Sequence, residues 1–187
     1  MSSGAIPAAI VDRTSRLVDD ARHGDRAAFE ALLQVRLDDL FRTAWAILGD
    51  ERDARDATQD ACLMAWRRLP TLREPSSFDA WLTRILVNGC RIRLRSRARV
   101  REIHVPDLEP AASLSDDPAA TFADADAIAR AFDRLDADAR AILVLHHLRE
   151  LPVASIASVF GIPVGTVKSR LHTARAALAR ALEREQR

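Results

Sequence analysis

Apolar residues recur at intervals of three and four along most of the chain. Phe29, Leu32, Leu33, Leu37, Leu40, Phe41, Ala44 and Leu48 form one such stripe. The spacing predicts a single long amphipathic helix, capped by Asp25 and stopped at Gly49. A shorter helix is expected before it, from Arg13 to His23, ending at Gly24. A third is expected from a cap at Asp53 to about Leu69, before Pro70, burying Ala57, Ala61, Met64, Ala65 and Leu69. After a polar loop (Thr71 to Ser76), Ser77 is placed to cap another long helix with Phe78, Trp81, Leu82, Ile85 and Leu86 facing inward. Further on, Asp124 to Leu135 and Asp138 to Leu148 read as two more amphipathic helices. No region alternates between β-branched and polar residues, so the expected fold class is all-α.

The pattern near the C-terminus is more specific. A short helix from Val153 to Phe160 meets Gly161, which adopts a left-handed turn without steric cost. Pro163 is expected just inside the start of a second helix. Helix, glycine turn and second helix form the helix-turn-helix pattern. At about 100° per residue, Val167, Leu171, Ala174, Leu178 and Leu182 lie within roughly 40° of one another. Gly165, Ser169, His172, Thr173 and Ala176 then face outward, with Lys168 and Arg175 on one flank. A small, polar outer face with basic flanks suits a helix entering the major groove. A plain amphipathic hairpin is the other reading.

Composition adds where the charges fall. The 187 residues carry a net charge of +1, and of the 28 basic residues only Lys168 is a lysine. Residues 1–102 hold 18 basic and 15 acidic residues, and residues 123–187 hold 10 and 8. Residues 103–122 have no Lys or Arg, four acids, and Pro106, Pro110 and Pro118. They read as an acidic linker between two helical domains. Residues 84–101 contain seven arginines and no acid, a basic rod suited to phosphates. A solvated helix end is its alternative reading.

Other chemistry finds little support. His146 and His147 are adjacent and diverge by about 100° on a helix, so they do not chelate one metal alone. Cys62 and Cys90 lack zinc-site spacing and read as buried thiols in a reducing, cytoplasmic setting. There is no glycine-rich phosphate loop and no convergent nucleophile–base set. No segment approaches the roughly 20 apolar residues of a membrane span, and residues 1–10 do not read as a signal peptide. Neither an enzyme nor a cofactor, metal, small-molecule substrate or membrane insertion is expected.

Three segments, in order, resemble the extracytoplasmic-function group of bacterial sigma-70-like factors. LGDERDARDATQDACLMAWRRL (48–69) resembles the family's polymerase-binding helix, and SFDAWLTRILVN (77–88) its promoter-melting segment. IPVGTVKSRLHTARAAL (162–178) resembles its −35-reading helix-turn-helix. The likeness runs from about Asp25 to Leu182. It implies an N-terminal domain (1–102) that binds core polymerase and the −10 element, a linker (103–122), and a C-terminal domain (123–187) for the −35 element. It implies core polymerase contacts at Asp56, Gln59 and Asp60. For the −10 element it implies Arg73, Ser76 and Phe78 in and after the loop that traps a flipped base, with Asn88, Arg91 and Arg95 on the helix beneath. Phe78 has core packing as its other reading. For the −35 element it implies Thr166, Lys168, Ser169, Arg170, His172 and Arg175. The partners implied are core RNA polymerase, promoter DNA and an anti-sigma factor. The chain departs from the family pattern at Thr173, where a basic residue is frequent, and in the arginine-rich run from Arg91 to Arg101. The competing reading is a free-standing helix-turn-helix regulator with an N-terminal sensor or dimerisation domain.

Overall fold

The computed structural model describes residues 8–104 and 121–185, and every regular element among them is helical. In chain order these are α1 (Ala8–Arg22), α2 (Arg26–Gln34), α3 (Leu37–Leu48), α4 (Glu51–Arg68), two 3-10 turns (Leu69–Thr71 and Pro75–Ser77) and α5 (Phe78–His104). Then follow α6 (Thr121–Asp133), α7 (Ala137–Leu143) running into a π-helical turn (Val144–Leu148), α8 (Val153–Phe160) and α9 (Val164–Glu185). Most of the expected linker, residues 105–120, lies outside the described residues. The chain divides into two compact units. One comprises Met1–Gly89 with Ser158–Gly161, the other Cys90–Ala157 with Ile162–Arg187.

In the first unit, α1 packs on α2 and on the two 3-10 turns, while α3 packs on α4. Val18, Leu32, Ile47, Leu69, Phe78 and Leu82 are among the side chains sealed in its core. The expected single helix from Asp25 to Gly49 is two helices. The N–H of Arg36 closes a tight turn by donating to the Leu33 carbonyl at 2.8 Å, and its guanidinium donates to the Leu32 carbonyl at 2.7 Å. The same guanidinium pairs with Asp79 and lies 5.2 Å from the Phe78 ring centroid. One arginine thus supplies the carbonyl cap of α2 and ties it to the start of α5, which a continuous helix would forbid. Leu37, expected in the core, is consequently exposed.

Two other boundaries shift for similar local reasons. Asp50, not Asp53, caps α4, its carboxylate accepting from the Asp53 N–H at 2.7 Å. Gly49 adopts φ 69° and so turns the chain directly into that cap. Ser77 ends a 3-10 turn instead of capping α5. Met64, expected inside, is exposed, because Ala54, Ala57, Thr58, Ala61 and Ala65 form the buried row of α4.

In the second unit, α6 and α7 pack on α9. Asp136 caps α7, accepting from the N–H groups of Asp138 and Ala139 at 2.8 Å each, so the helix starts at Ala137, one residue before the expected Asp138. Arg140 is buried and pairs with Asp133 at 2.9 Å. At the far end Glu185 accepts from Arg130 and Arg134 at 2.6 Å each, fastening the last turn of α9 to α6. The hydrogen bonds from Arg130 and Arg134 hold the Glu185 carboxyl below its usual range.

Gly161 has φ 67°, as a turn between α8 and α9 requires. Pro163 stands one residue before α9, and not inside it as expected. Its carbonyl accepts the first intrahelical bond, from Val167 N–H at 3.1 Å. Val167, Leu171 and Ala174 are buried as the stripe predicts, and Leu178 and Leu182 are half-buried.

Candidate nucleic-acid interface

On α4 the alanine row faces α3, which leaves Asp56, Gln59 and Asp60 exposed together on the opposite side. Leu63 continues that face one turn on and is 49% exposed. The surface is therefore acidic with an apolar end, a combination that sequence reasoning missed at Leu63. Its signal was present: Asp56, Gln59, Asp60 and Leu63 fall at i, i+3, i+4 and i+7.

Arg73, between the 3-10 turns, and Ser76, within the second, are exposed, and the Ser76 hydroxyl lies 3.2 Å from the Glu74 carboxylate. Phe78 behaves differently. It is fully buried, under Arg36 and with its ring centroid 5.9 Å from that of Trp81. A ring with no exposed face cannot stack on a base, so the expected base contact at Phe78 is corrected to a core role. Trp81 is half-buried, and Asn88 is exposed further along α5.

On α9, Lys168, Ser169, His172, Thr173 and Arg175 are exposed and Thr166 is half-buried. The Ser169 hydroxyl donates to the Thr166 carbonyl at 3.0 Å, leaving its lone pairs outward as acceptors. Arg175 donates to His147 Nε2 at 3.2 Å. Burial, then the charges of Arg175 and His146, lower the His147 pKa, which favours the neutral ring that accepts at Nε2. This face is open at Gly165 in the first turn of α9, where a Cβ would meet no atom within 4 Å.

Three of the predicted DNA residues meet at one carboxylate in the second unit. Arg91 forks onto Asp138, Nε to Oδ1 at 2.8 Å and Nη2 to Oδ2 at 3.0 Å. Arg95 reaches Oδ1 at 2.7 Å, and Arg170 reaches Oδ2 at 3.2 Å. Partial burial raises the Asp138 pKa, but hydrogen bonds and charge from Arg91 and Arg95 outweigh it and hold the group below its ordinary value. The resulting geometry, three guanidinium groups around a small oxyanion, is one that a phosphate also satisfies.

Among the described residues no cluster of His, Cys, Asp and Glu could hold a metal, and no helix is long and apolar enough to cross a membrane. The chain matches the family descriptions "Sigma-70 region 2" over residues 32–100 and "Sigma-70, region 4" over residues 125–178. It is 38% identical over 159 residues to the ECF RNA polymerase sigma factor SigM of Mycobacterium tuberculosis, covering 85% of this chain and 79% of that protein. It is 33% identical to the RNA polymerase sigma-E factor of Streptomyces avermitilis, over 88% and 96% of the two chains. Among solved structures, CnrH in complex with the cytosolic domain of CnrY aligns with TM-score 0.66 at 27% identity, over 92% of this chain and 98% of that one. The sigma factor RpoE of Bartonella quintana, solved with the anti-sigma factor NepR, aligns with TM-score 0.64 at 26% identity, over 83% and 96%.

Proposed function

The chain belongs to the extracytoplasmic-function sigma factors of the sigma-70 family and serves transcription initiation; from that premise we propose how its residues divide the work. Residues 1–102 act as the polymerase and −10 domain, residues 123–187 as the −35 domain, and residues 103–122 as their tether. Asp56, Gln59 and Asp60 dock on core polymerase, with Leu63 as the apolar end of the same face. Arg73, Ser76, Asn88, Arg91 and Arg95 contact the −10 region, with the half-buried Trp81 in the stacking role that Phe78 cannot fill. Thr166, Lys168, Ser169, Arg170, His172 and Arg175 contact the −35 element.

The observation that carries this reading is the outer face of α9. After a glycine turn, α9 presents a glycine, a serine and a histidine beside a flanking lysine and arginine, on the side away from its buried stripe. Small residues permit close approach, cations hold phosphates and polar tips meet base edges. A free-standing regulator is disfavoured because residues 32–100 match the sigma-70 region 2 family, which leaves no separate sensor domain there. The work is done in the cytoplasm, where the polymerase is, without chemistry of the protein's own. An anti-sigma factor is the expected controlling partner, as the Bartonella relative was solved with one.

The test is runoff transcription with bacterial core polymerase on a promoter library. Discrete start sites that appear only with both components are expected. Substituting Ser169 or His172 should shift −35 preference at individual positions, by about 1–3 kcal/mol for each lost base contact. Substituting Lys168 should weaken all sequences alike.

A further inference from the structure

The Asp138 cluster is not explained by stability alone. Asp138 is not the cap of α7, a task that Asp136 performs. A lone carboxylate in the first turn needs one cation at most, yet Asp138 gathers Arg91, Arg95 and Arg170 within 3.2 Å. These arginines come from two elements 75 positions apart in the sequence at their nearest members, Arg95 and Arg170. All four residues belong to the second unit. Arg91 is only 16% exposed in this arrangement, whereas Arg95 and Arg170 keep 59% and 44%. The forked geometry on Asp138 Oδ1 and Oδ2 is the one guanidinium groups use on a phosphate.

We propose that Asp138 is an internal stand-in for a DNA phosphate, holding Arg91, Arg95 and Arg170 in the free chain until backbone phosphates displace it. The proposal rests on the assignment of these arginines to DNA above. Its consequence is a built-in brake on binding by the free factor. A duplex must compete with a tethered carboxylate, which is always present at high effective concentration. Of the two anions, the phosphates of a duplex come in rows, so several arginines can be satisfied there at once, whereas one carboxylate offers two oxygens to three guanidinium groups. Release is thus favoured by a polyanion and by little else.

The test uses the full chain with Asp138→Asn, which keeps shape and removes the charge, and fluorescence anisotropy on a labelled promoter duplex. Binding by the free chain should tighten by about three- to tenfold, the scale set by part-exposed ion pairs. Its dependence on log[salt] should stay close to that of wild type, because phosphates hold the same arginines in both complexes. Glu183→Gln makes the same change of net charge on an exposed part of α9 and should not tighten binding. Equal gains in the two variants, or no gain in Asp138→Asn shown folded by circular dichroism, would overturn the brake. Runoff transcription with Arg91→Ala, Arg95→Ala and Arg170→Ala separates the two claims. If those variants initiate normally, the DNA assignment itself fails; if they are impaired while Asp138→Asn binds DNA as wild type does, only the brake fails.

Discussion

Burial sets the chemistry of the two thiols. Cys90 is fully buried on α5, and burial pushes its pKa up to about 12 against the lowering effect of Arg93. Cys62 is half-buried and raised by the same cause to a lesser degree of enclosure. Since the thiolate is the reactive form, a disulfide reagent at pH 8 should modify Cys62 slowly and Cys90 only after unfolding. Counting modified thiols by mass before and after denaturant checks this. Asp138 gives a second readout at this scale. Its folded pKa lies below the ordinary 3.8, so its stabilising effect is complete above that value and is lost as pH falls through the folded pKa. The gap in melting temperature between wild type and Asp138→Asn should therefore be constant near neutral pH and shrink below about pH 4. Phe78 shows what a single residue in sequence does not disclose. Its position beside a polar loop fits base capture, and only the approach of Arg36 and Trp81, from 42 positions away and three, makes it core. Phe78→Ala should cost about 3–5 kcal/mol in urea melts, the usual range for a buried phenylalanine.

Elements were readable where their signals are local. Gly161 and the apolar stripe of α9 needed only a window of about twenty residues, and both stand where the pattern put them. The break between α2 and α3 had no such signal, since the stripe continues through it and the cap comes from Arg36 acting with Asp79. The two glycines flanking the start of α9 make opposite predictions. At Gly161 a Cβ would lie 2.6 Å from Arg84 Nη2, the movable end of a long side chain whose Nε donates to the Val159 carbonyl at 3.2 Å. The main penalty of Gly161→Ala is thus the left-handed backbone, about 1–2 kcal/mol. Gly165 is helical with open space around it, so Gly165→Ala should gain up to about 1 kcal/mol of stability. Its added methyl stands on the face assigned to the major groove and should weaken −35-dependent initiation. Urea melts beside promoter competition separate the two effects; a Gly165→Ala protein that is more stable and equally active would remove this face from the groove.

At the scale of the whole molecule, the order of the regions was legible because each carries its own spacing, whereas the convergence on Asp138 was not. Its partners lie 47, 43 and 32 positions away, beyond any helical period. The face proposed to dock on polymerase poses the remaining question for the assembled protein. Asp56 and Gln59 project from the side of α4 opposite its alanine row, so nothing in the fold depends on their contact with the core. Asp56→Arg should change stability by no more than about 0.5 kcal/mol, as is usual for exposed positions. If the proposed docking sets Asp56 against a basic partner surface, reversing its charge places like charges together at a cost of several kcal/mol. Capture of core polymerase by tagged Asp56→Arg should therefore fall at least about tenfold while circular dichroism is unchanged. Leu63→Ala should weaken capture too, but without altering its salt dependence, because it removes apolar contact and no charge. A folded Asp56→Arg protein that captures core polymerase as wild type does would move the docking face off α4, and the search would turn to the exposed Trp45 on α3.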